Sequence, residues 1–348
     1  MILSLKRNQW PAIYLLAALF LISALFFLSG CQKAEERIYS HFGMTMGTTF
    51  SVKWVTQDDA HKAKISGLID KALIRVNQSM STYISDSELS QFNALPEGSS
   101  QTISDELAFV ISQGLELSEK SGGAFDVTVG PLVNLWGFGP DGRVVKAPTQ
   151  EQITAVNQRV GYTAVTLNGD QLTKSKDSYI DLSAIAKGYG VDTVAELLEA
   201  EGINSYLVEI GGELRAKGLK PAGLSWRIAI ESPIAEAGRE IHKIIAVSDI
   251  GVATSGDYRN YFEENGVRFS HTIDPQTAQP IKHKLASVTV LAKTCAQADG
   301  FATAMMVMGP EKALEFAEAE DVEAFLLVKG EQGFEELMTS GFNRYLVH

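Results

Sequence analysis

Positive charge and cysteine are what this chain of 348 residues most lacks. Lys and Arg number 30 against 42 Asp and Glu, for a net charge of -12 with neutral His, and no basic run breaks the imbalance. A chain this acidic has no general affinity for a phosphate backbone, which argues against nucleic acid as its partner. Two cysteines, Cys31 and Cys295, are too few for a disulfide framework or a Cys-rich zinc site, and their different surroundings point to separate roles. Only 10 Pro accompany 30 Gly, and 45% of residues are hydrophobic against 21% charged. That balance excludes collagen-like, coiled-coil and wholly disordered chains. Low-complexity tracts and short-period repeats are also missing.

Long apolar runs are missing too, with one exception. From Trp10 to Leu28 there is no charge, and Lys6 and Arg7 precede the run. A helix of that length would cover roughly 28 Å, enough for a membrane anchor. Its continuation, Leu28-Ser29-Gly30-Cys31 followed by polar QKAEER, resembles a bacterial lipoprotein signal. Residues 1–30 are therefore expected to be a cleaved leader, with Cys31 the lipidated first residue of the mature protein and 31–42 a tether. An uncleaved anchor is the alternative. Both carry the remainder out of the cytoplasm into the periplasm, held at a membrane by lipid or helix. Gln32, rather than Asp, favours the outer over the inner membrane.

Beyond the tether, helices and strands alternate without a βαβ rhythm. Apolar spacings of three and four predict helices over 61–79 and 104–120, and 184–200 also reads as a helix. Helices are also expected over 148–158, 295–308 and 310–319. Strands are expected over 48–56, 205–210, 226–230, 242–248, 252–255, 268–273, 286–292 and 323–328. Asn168-Gly169-Asp170 joins two further short strands as a hairpin. The fold class is α+β rather than a doubly wound sheet, and nothing between 45 and 345 has a linker's composition.

Glycine, aspartate and small hydroxyls concentrate in four segments. Met44 to Thr49 leads into a strand. Gly122 to Gly139 combines close-approach glycines with Phe125, Trp136 and Phe138, aromatics suited to a flat pocket or to plain core. Asp181 to Tyr189 opens a helix, with Asp181 or Ser183 as its cap and Lys187 near its anion-favouring start. Neither it nor the Gly211-Gly212-Glu213 turn, a second candidate cradle, matches GxGxxG or a P-loop. The fourth group is Thr254 to Arg259, Ser270 to Pro275 and Asp299 to Thr303. Here Asp274 is spaced to orient His271, while Asp299 and Thr303 share one helical face as hard oxygen donors suited to Mg²⁺ or Ca²⁺ rather than zinc. Cys295, on the same helix, reads as a buried thiol.

In this order the segments resemble the ApbE-type FAD:protein FMN transferases, the flavin-trafficking lipoproteins. The resemblance is carried by Met46-Gly47-Thr48, Ser81-Thr82-Tyr83, Ser87-Glu88-Leu89, Phe92-Asn93 and the run from Gly123 to Gly139. It continues through Asp181 to Asp192, Val208 to Glu213, Thr254 to Asn260, Ser270 to Pro275 and Asp299 to Gly309. It implies an ApbE-like catalytic domain over 43–348, of mixed helices and largely antiparallel strands. The implied activity is metal-dependent: FAD is split at its pyrophosphate, FMN passes to a threonine hydroxyl of a partner protein, and AMP leaves. By resemblance, Asp299, Thr303 and the carbonyl of Ala184 hold the metal, Mg²⁺ or another divalent ion such as Ca²⁺. Met46, Tyr83, Ala124, Phe125, Asp126, Asp181, Lys187, Thr272 and Ile273 line the FAD site. Lys187 would also steady the departing phosphate, and His271 would take the hydroxyl proton, with Asp274 next in line. The implied clients are subunits of sodium-pumping quinone reductases or related redox complexes, with an acceptor segment like Ser/Asp-Gly-Ala-Thr/Ser-x-x-Thr. Two rivals stay open: a FAD pyrophosphatase giving FMN and AMP, and a non-catalytic flavin-binding lipoprotein.

Overall fold

The computed structural model describes residues 36–58, 61–142, 144, 146–233, 240–257, 261–264 and 266–347. The leader, Cys31, the start of the tether, and Tyr258, Arg259 and Asn260 of the fourth segment lie outside them.

One eight-stranded sheet organises the described residues. Its order is β1 (Arg37–Thr45), β2 (Thr48–Thr56), β6 (Tyr206–Ile210), β7 (Glu213–Lys217), β10 (Ile250–Gly256), β15 (Leu285–Ala292), β16 (Glu323–Gly330) and β17 (Gly333–Met338). From β2 to β17 every pairing is antiparallel. Smaller ladders flank it: β3 (Ser100–Thr102) with β5 (Gln171–Lys174) and β4 (Val165–Asn168), β8 (Trp226–Glu231) with β9 (Ile241–Val247), β11 (Tyr261–Glu264) with β12 (Val267–Ser270), and β13 (Ile273–Asp274) with β14 (Gln279–Pro280). The helices are α1 (His61–Met80), α2 (Glu88–Asn93), α3 (Asp105–Lys120), α4 (Gly130–Leu135), α5 (Gln150–Asn157), α6 (Ala186–Ala200), α7 (Cys295–Met308) and α8 (Pro310–Ala319).

Both faces of the central strands are covered, so β15 reads LASVTVLA and is buried throughout instead of alternating. On one face lie α6 and α7, with α1 behind α6. On the other, Trp226, Ile230, Ile245 and Val247 of the β8–β9 hairpin close over Leu214, Val252, Leu291 and Phe325.

The start of each central helix is completed by an acid from the other. The Oδ2 of Asp299 on α7 accepts the N–H of Gly188 at 3.0 Å, in the first turn of α6. In return Asp192 on α6 accepts the N–H groups of Cys295 and Ala296 at 2.9 and 2.8 Å, the first two of α7. Such N–H groups have no partner within their own helix, and burial makes an external acceptor obligatory. Glycine makes the approach possible: a Cβ on Gly188 would stand 2.4 Å from the carbonyl oxygen of Cys295. The Cys295 thiol is buried and faces the Val252 carbonyl at 3.7 Å, as expected, and burial pushes its pKa up.

Several expectations need correction. The segment 31–42 is not all tether, because β1 already begins at Arg37; Tyr39 packs on Trp54 and His41 on Phe50. Helix α6 starts at Ala186, not Ala184, and neither Asp181 nor Ser183 caps it. Asp181 Oδ1 accepts the amide and hydroxyl of Ser183 (2.8 and 2.5 Å), closing a turn ahead of the helix. The strand expected over 268–273 breaks into β12 and β13. Gly137 to Gly142 spells GxGxxG by residue type, but it follows α4 and runs into turn rather than joining strand to helix.

Candidate active site

Strand β7 faces α6 with every second residue. Glu213, Arg215 and Lys217 meet Lys187, Asp192 and Glu199 at 2.8, 3.0 and 2.8 Å, a ladder of three ion pairs. The first rung joins the opening turns of α7: Lys187 Nζ is 2.8 Å from Glu213 Oε1 and 3.6 Å from Asp299 Oδ1. Only 7% and 4% of the Glu213 and Asp299 side chains are exposed against 30% for Lys187, so a ligand meets the lysine side chain before either acid. Burial opposes its charge, but Asp299 and Glu213 outweigh burial and hold Lys187 above the usual lysine range. Burial, with repulsion from Asp299, pushes Glu213 up to about 7 despite Lys187. Glu213 Oε2 is buried with no hydrogen-bond partner.

Two carboxylates and one ammonium leave this cluster negative when both acids are ionised. A pyrophosphate would be repelled there unless a cation came with it. The donors fit a hard divalent ion: the Asp299 carboxylate, the Thr303 hydroxyl one turn on, and the Ala184 carbonyl in the turn before α6. Thr303 Oγ1 lies 3.2 Å from Ser255 Oγ of β10. Among the described residues no three His, Cys, Asp or Glu side chains gather around a common point, so nothing resembles a zinc centre.

A second cluster is aromatic. Tyr83 is 67% exposed and its hydroxyl donates to the Phe138 carbonyl at 3.4 Å. The His271 ring meets the Phe138 ring nearly edge-on, with centroids 6.3 Å apart. Partial burial and the nearby Asp181 raise the Tyr83 pKa. The serine-rich motif around Tyr83 works from behind. Ser87 and Ser90 both donate to the Ser81 carbonyl (2.5 and 3.1 Å), Ser87 caps α2, and Glu88 takes the amide and hydroxyl of Ser104. Asn93 then clamps the amide and carbonyl of Ile180 at 2.8 Å each, fixing the approach to Asp181. From Asp181 the turn through Ala184 leads straight into Lys187, linking the two clusters along the chain.

The other expected residues divide. Met46, in the left-handed region at φ 50, turns β1 into β2, and its methyl would stand 2.8 Å from a Cβ on Gly190 of α6. Ala124 and Phe125 are buried, and Phe125 and Trp136 belong to the core, leaving Phe138 as the half-exposed aromatic of the three. The Asp126 carboxylate is used internally, by the amide and hydroxyl of Thr128 (2.7 and 2.6 Å) and by the Tyr162 amide (2.9 Å). Ile273 packs in the core beside Trp136, and the Thr272 carbonyl accepts from Ile281. Asp274, expected to orient His271, is engaged in a turn of its own. Its oxygens take the Gln276 amide and the Thr277 hydroxyl, both at 2.9 Å, because the residue starts a tight turn before Pro275. A groove of about 830 Å³ between α1 and α3, lined by Arg75, Glu106, Phe109 and Tyr189, contains none of the expected site residues.

Glu213 is the site residue that sequence reasoning missed. The signal was present: in ELRAK the charges alternate with Leu214 and Ala216, the period of a strand whose charged face is covered.

The ApbE family model matches residues 46–326, which include both clusters. The FAD:protein FMN transferase of Vibrio cholerae is 46% identical over 321 residues, 92% of this chain and 96% of that protein. The enzyme of that name from Haemophilus influenzae is 46% identical over 325 residues, 91% and 94% of the two chains. Among solved structures, the flavin transferase ApbE from Vibrio cholerae superposes with a TM-score of 0.84 at 44% identity, covering 89% of this chain and all of its own. The apo flavinyl transferase ApbE of Pseudomonas stutzeri gives 0.83 at 45% identity over 90% and 98%. With the fold, the Lys187–Asp299 cluster and the aromatic rim all inside the matched span, this chain belongs to the ApbE family.

Proposed function

We propose that this chain is a FAD:protein FMN transferase that acts with a divalent cation, Mg²⁺ or Ca²⁺, on a threonine of a partner protein. Support comes from the convergence of Lys187 and Asp299 on the start of α6, inside a span that matches relatives of that name. Asp299, Thr303 and the Ala184 carbonyl are the residues that would hold the cation, which when bound neutralises charge on the pyrophosphate as its anhydride bond breaks. Lys187 and the positive end of α6 receive the phosphates. Tyr83 and Phe138 offer the flavin an aromatic edge, Asp181 closes the space between, and Met46, residues 124–126 and Thr272–Ile273 frame it. His271 takes the proton of the acceptor hydroxyl. The hydroxyl oxygen bonds to the FMN phosphorus, the P–O bond to the adenylate breaks, and AMP leaves with that electron pair. The acceptor belongs to a membrane redox complex such as a sodium-pumping quinone reductase, with a Ser/Asp-Gly-Ala-Thr/Ser-x-x-Thr-like segment.

The test is to incubate residues 36–348 with FAD, Mg²⁺ and an acceptor carrying that segment, then to weigh the acceptor. It should gain the mass of FMN less water, and lose that gain when its threonine becomes alanine. Release of FMN and AMP with an unmodified acceptor would instead make the protein a pyrophosphatase.

Lipid attachment at Cys31, placing the catalytic domain in the periplasm, belongs to the same proposal. Cys31→Ala should abolish incorporation of labelled palmitate and leave the leader uncleaved. Undiminished labelling of that variant would refute it.

A further inference from the structure

We propose that Glu213 is a positioning residue whose charge lets the Lys187 ammonium and a divalent cation stand side by side at Asp299. The inference rests on the transferase reading above. Asp299 already has two claims on it, the Gly188 amide at Oδ2 and, more loosely, Lys187 at Oδ1. A cation bound through Asp299 would withdraw that countercharge from Lys187 and add repulsion of its own. A lysine with no other anchor would then swing away or block the cation. Glu213 answers this conflict. It makes the closer contact with the ammonium, 2.8 Å against 3.6 Å, and it does so from the sheet rather than from a helix.

The carboxylate is also held still. Glu213 follows Gly211 and Gly212, both at positive φ, and a Cβ on Gly211 would stand 2.8 Å from the Thr48 methyl group, so the turn is pressed against β2. The rungs below, Arg215–Asp192 and Lys217–Glu199, fix the register of β7 against α6. Its second oxygen is buried without a hydrogen-bond partner, and Lys187 is the side chain its first oxygen holds. In the unliganded protein Lys187 is shared by two acids; in the cation-bound protein Glu213 keeps it, charged and aimed at the phosphate.

The probe is Mn²⁺ alone, its free concentration read by electron paramagnetic resonance, without flavin. Glu213→Gln keeps the shape and removes the charge, leaving Asp299 as the only acid on Lys187. Mn²⁺ affinity should fall on the order of tenfold. Adding Lys187→Met should remove that loss, because no ammonium then competes with the cation for Asp299. Unfolding midpoints establish that each variant is folded. Parental Mn²⁺ affinity in Glu213→Gln, with Asp299→Asn abolishing binding, overturns the role of Glu213 alone. An equal loss in the Lys187→Met background overturns it as well, because Glu213 would then act on the ion directly. Mn²⁺ binding that ignores Asp299→Asn overturns the cation assignment, and this inference with it.

Discussion

Asp299→Ala should abolish flavin transfer, by about 10³-fold or more, because a cation lost from the pyrophosphate removes several kcal/mol of transition-state stabilisation. The same change removes the acceptor of the buried Gly188 amide, so stability should fall by about 1–3 kcal/mol. The two losses can be separated. Asp299→Asn keeps an oxygen for Gly188 but not the charge, so most of the stability should return while transfer stays lost. Denaturant unfolding with single-turnover flavin transfer reads both quantities on one preparation. Parental transfer by Asp299→Asn at limiting Mg²⁺ would remove Asp299 from the chemistry and leave it only a helix cap.

His271→Ala should slow transfer on the order of 10²–10⁴-fold, the usual worth of a general base to a weak hydroxyl nucleophile. FAD affinity should change little, because Tyr83, Phe138 and Lys187 remain. Asp274 gives a useful contrast. Its carboxylate closes the turn before Pro275 on Gln276 and Thr277, so Asp274→Asn should cost far less than His271→Ala. A single-turnover rate at saturating FAD that is unchanged in His271→Ala would make that histidine a binding residue. An equal loss in the two variants would mean that the turn, not the imidazole, is what catalysis needs.

Local periodicity was enough for parts of this fold. Helices α1 and α3 match to within one residue the spans their apolar spacing predicts, and Asn168-Gly169-Asp170 makes its hairpin. Strand β1 was hidden because its outer stripe, Ile38, Phe42 and Met44, is left exposed at the sheet edge, giving no polar face to alternate with. Strand β7 was hidden for the opposite reason. Three charges in five residues look solvated, yet they are paired across to α6. Lys187 and Asp299 stood out by their place at a helix start and on an apolar helix. Glu213 did not, since its role depends on a partner that only the tertiary fold supplies. The cap of α6 was unreadable on the same ground: its acceptor comes from 111 residues away.

That distance bears on when the protein can first work. A chain emerging from the ribosome has the residues of α6 long before it has Asp299. Until that aspartate arrives the first turn of α6 lacks the acceptor for Gly188, and Lys187 faces Glu213 alone. The start of α7 in turn needs Asp192, already delivered, so the later helix can dock as soon as it appears and finish both ends in one step. Every chain that stops short of Asp299 therefore leaves this cluster incomplete. A chain that ends before Asp299 carries the ammonium and the sheet acid of the cluster but not the aspartate that joins them.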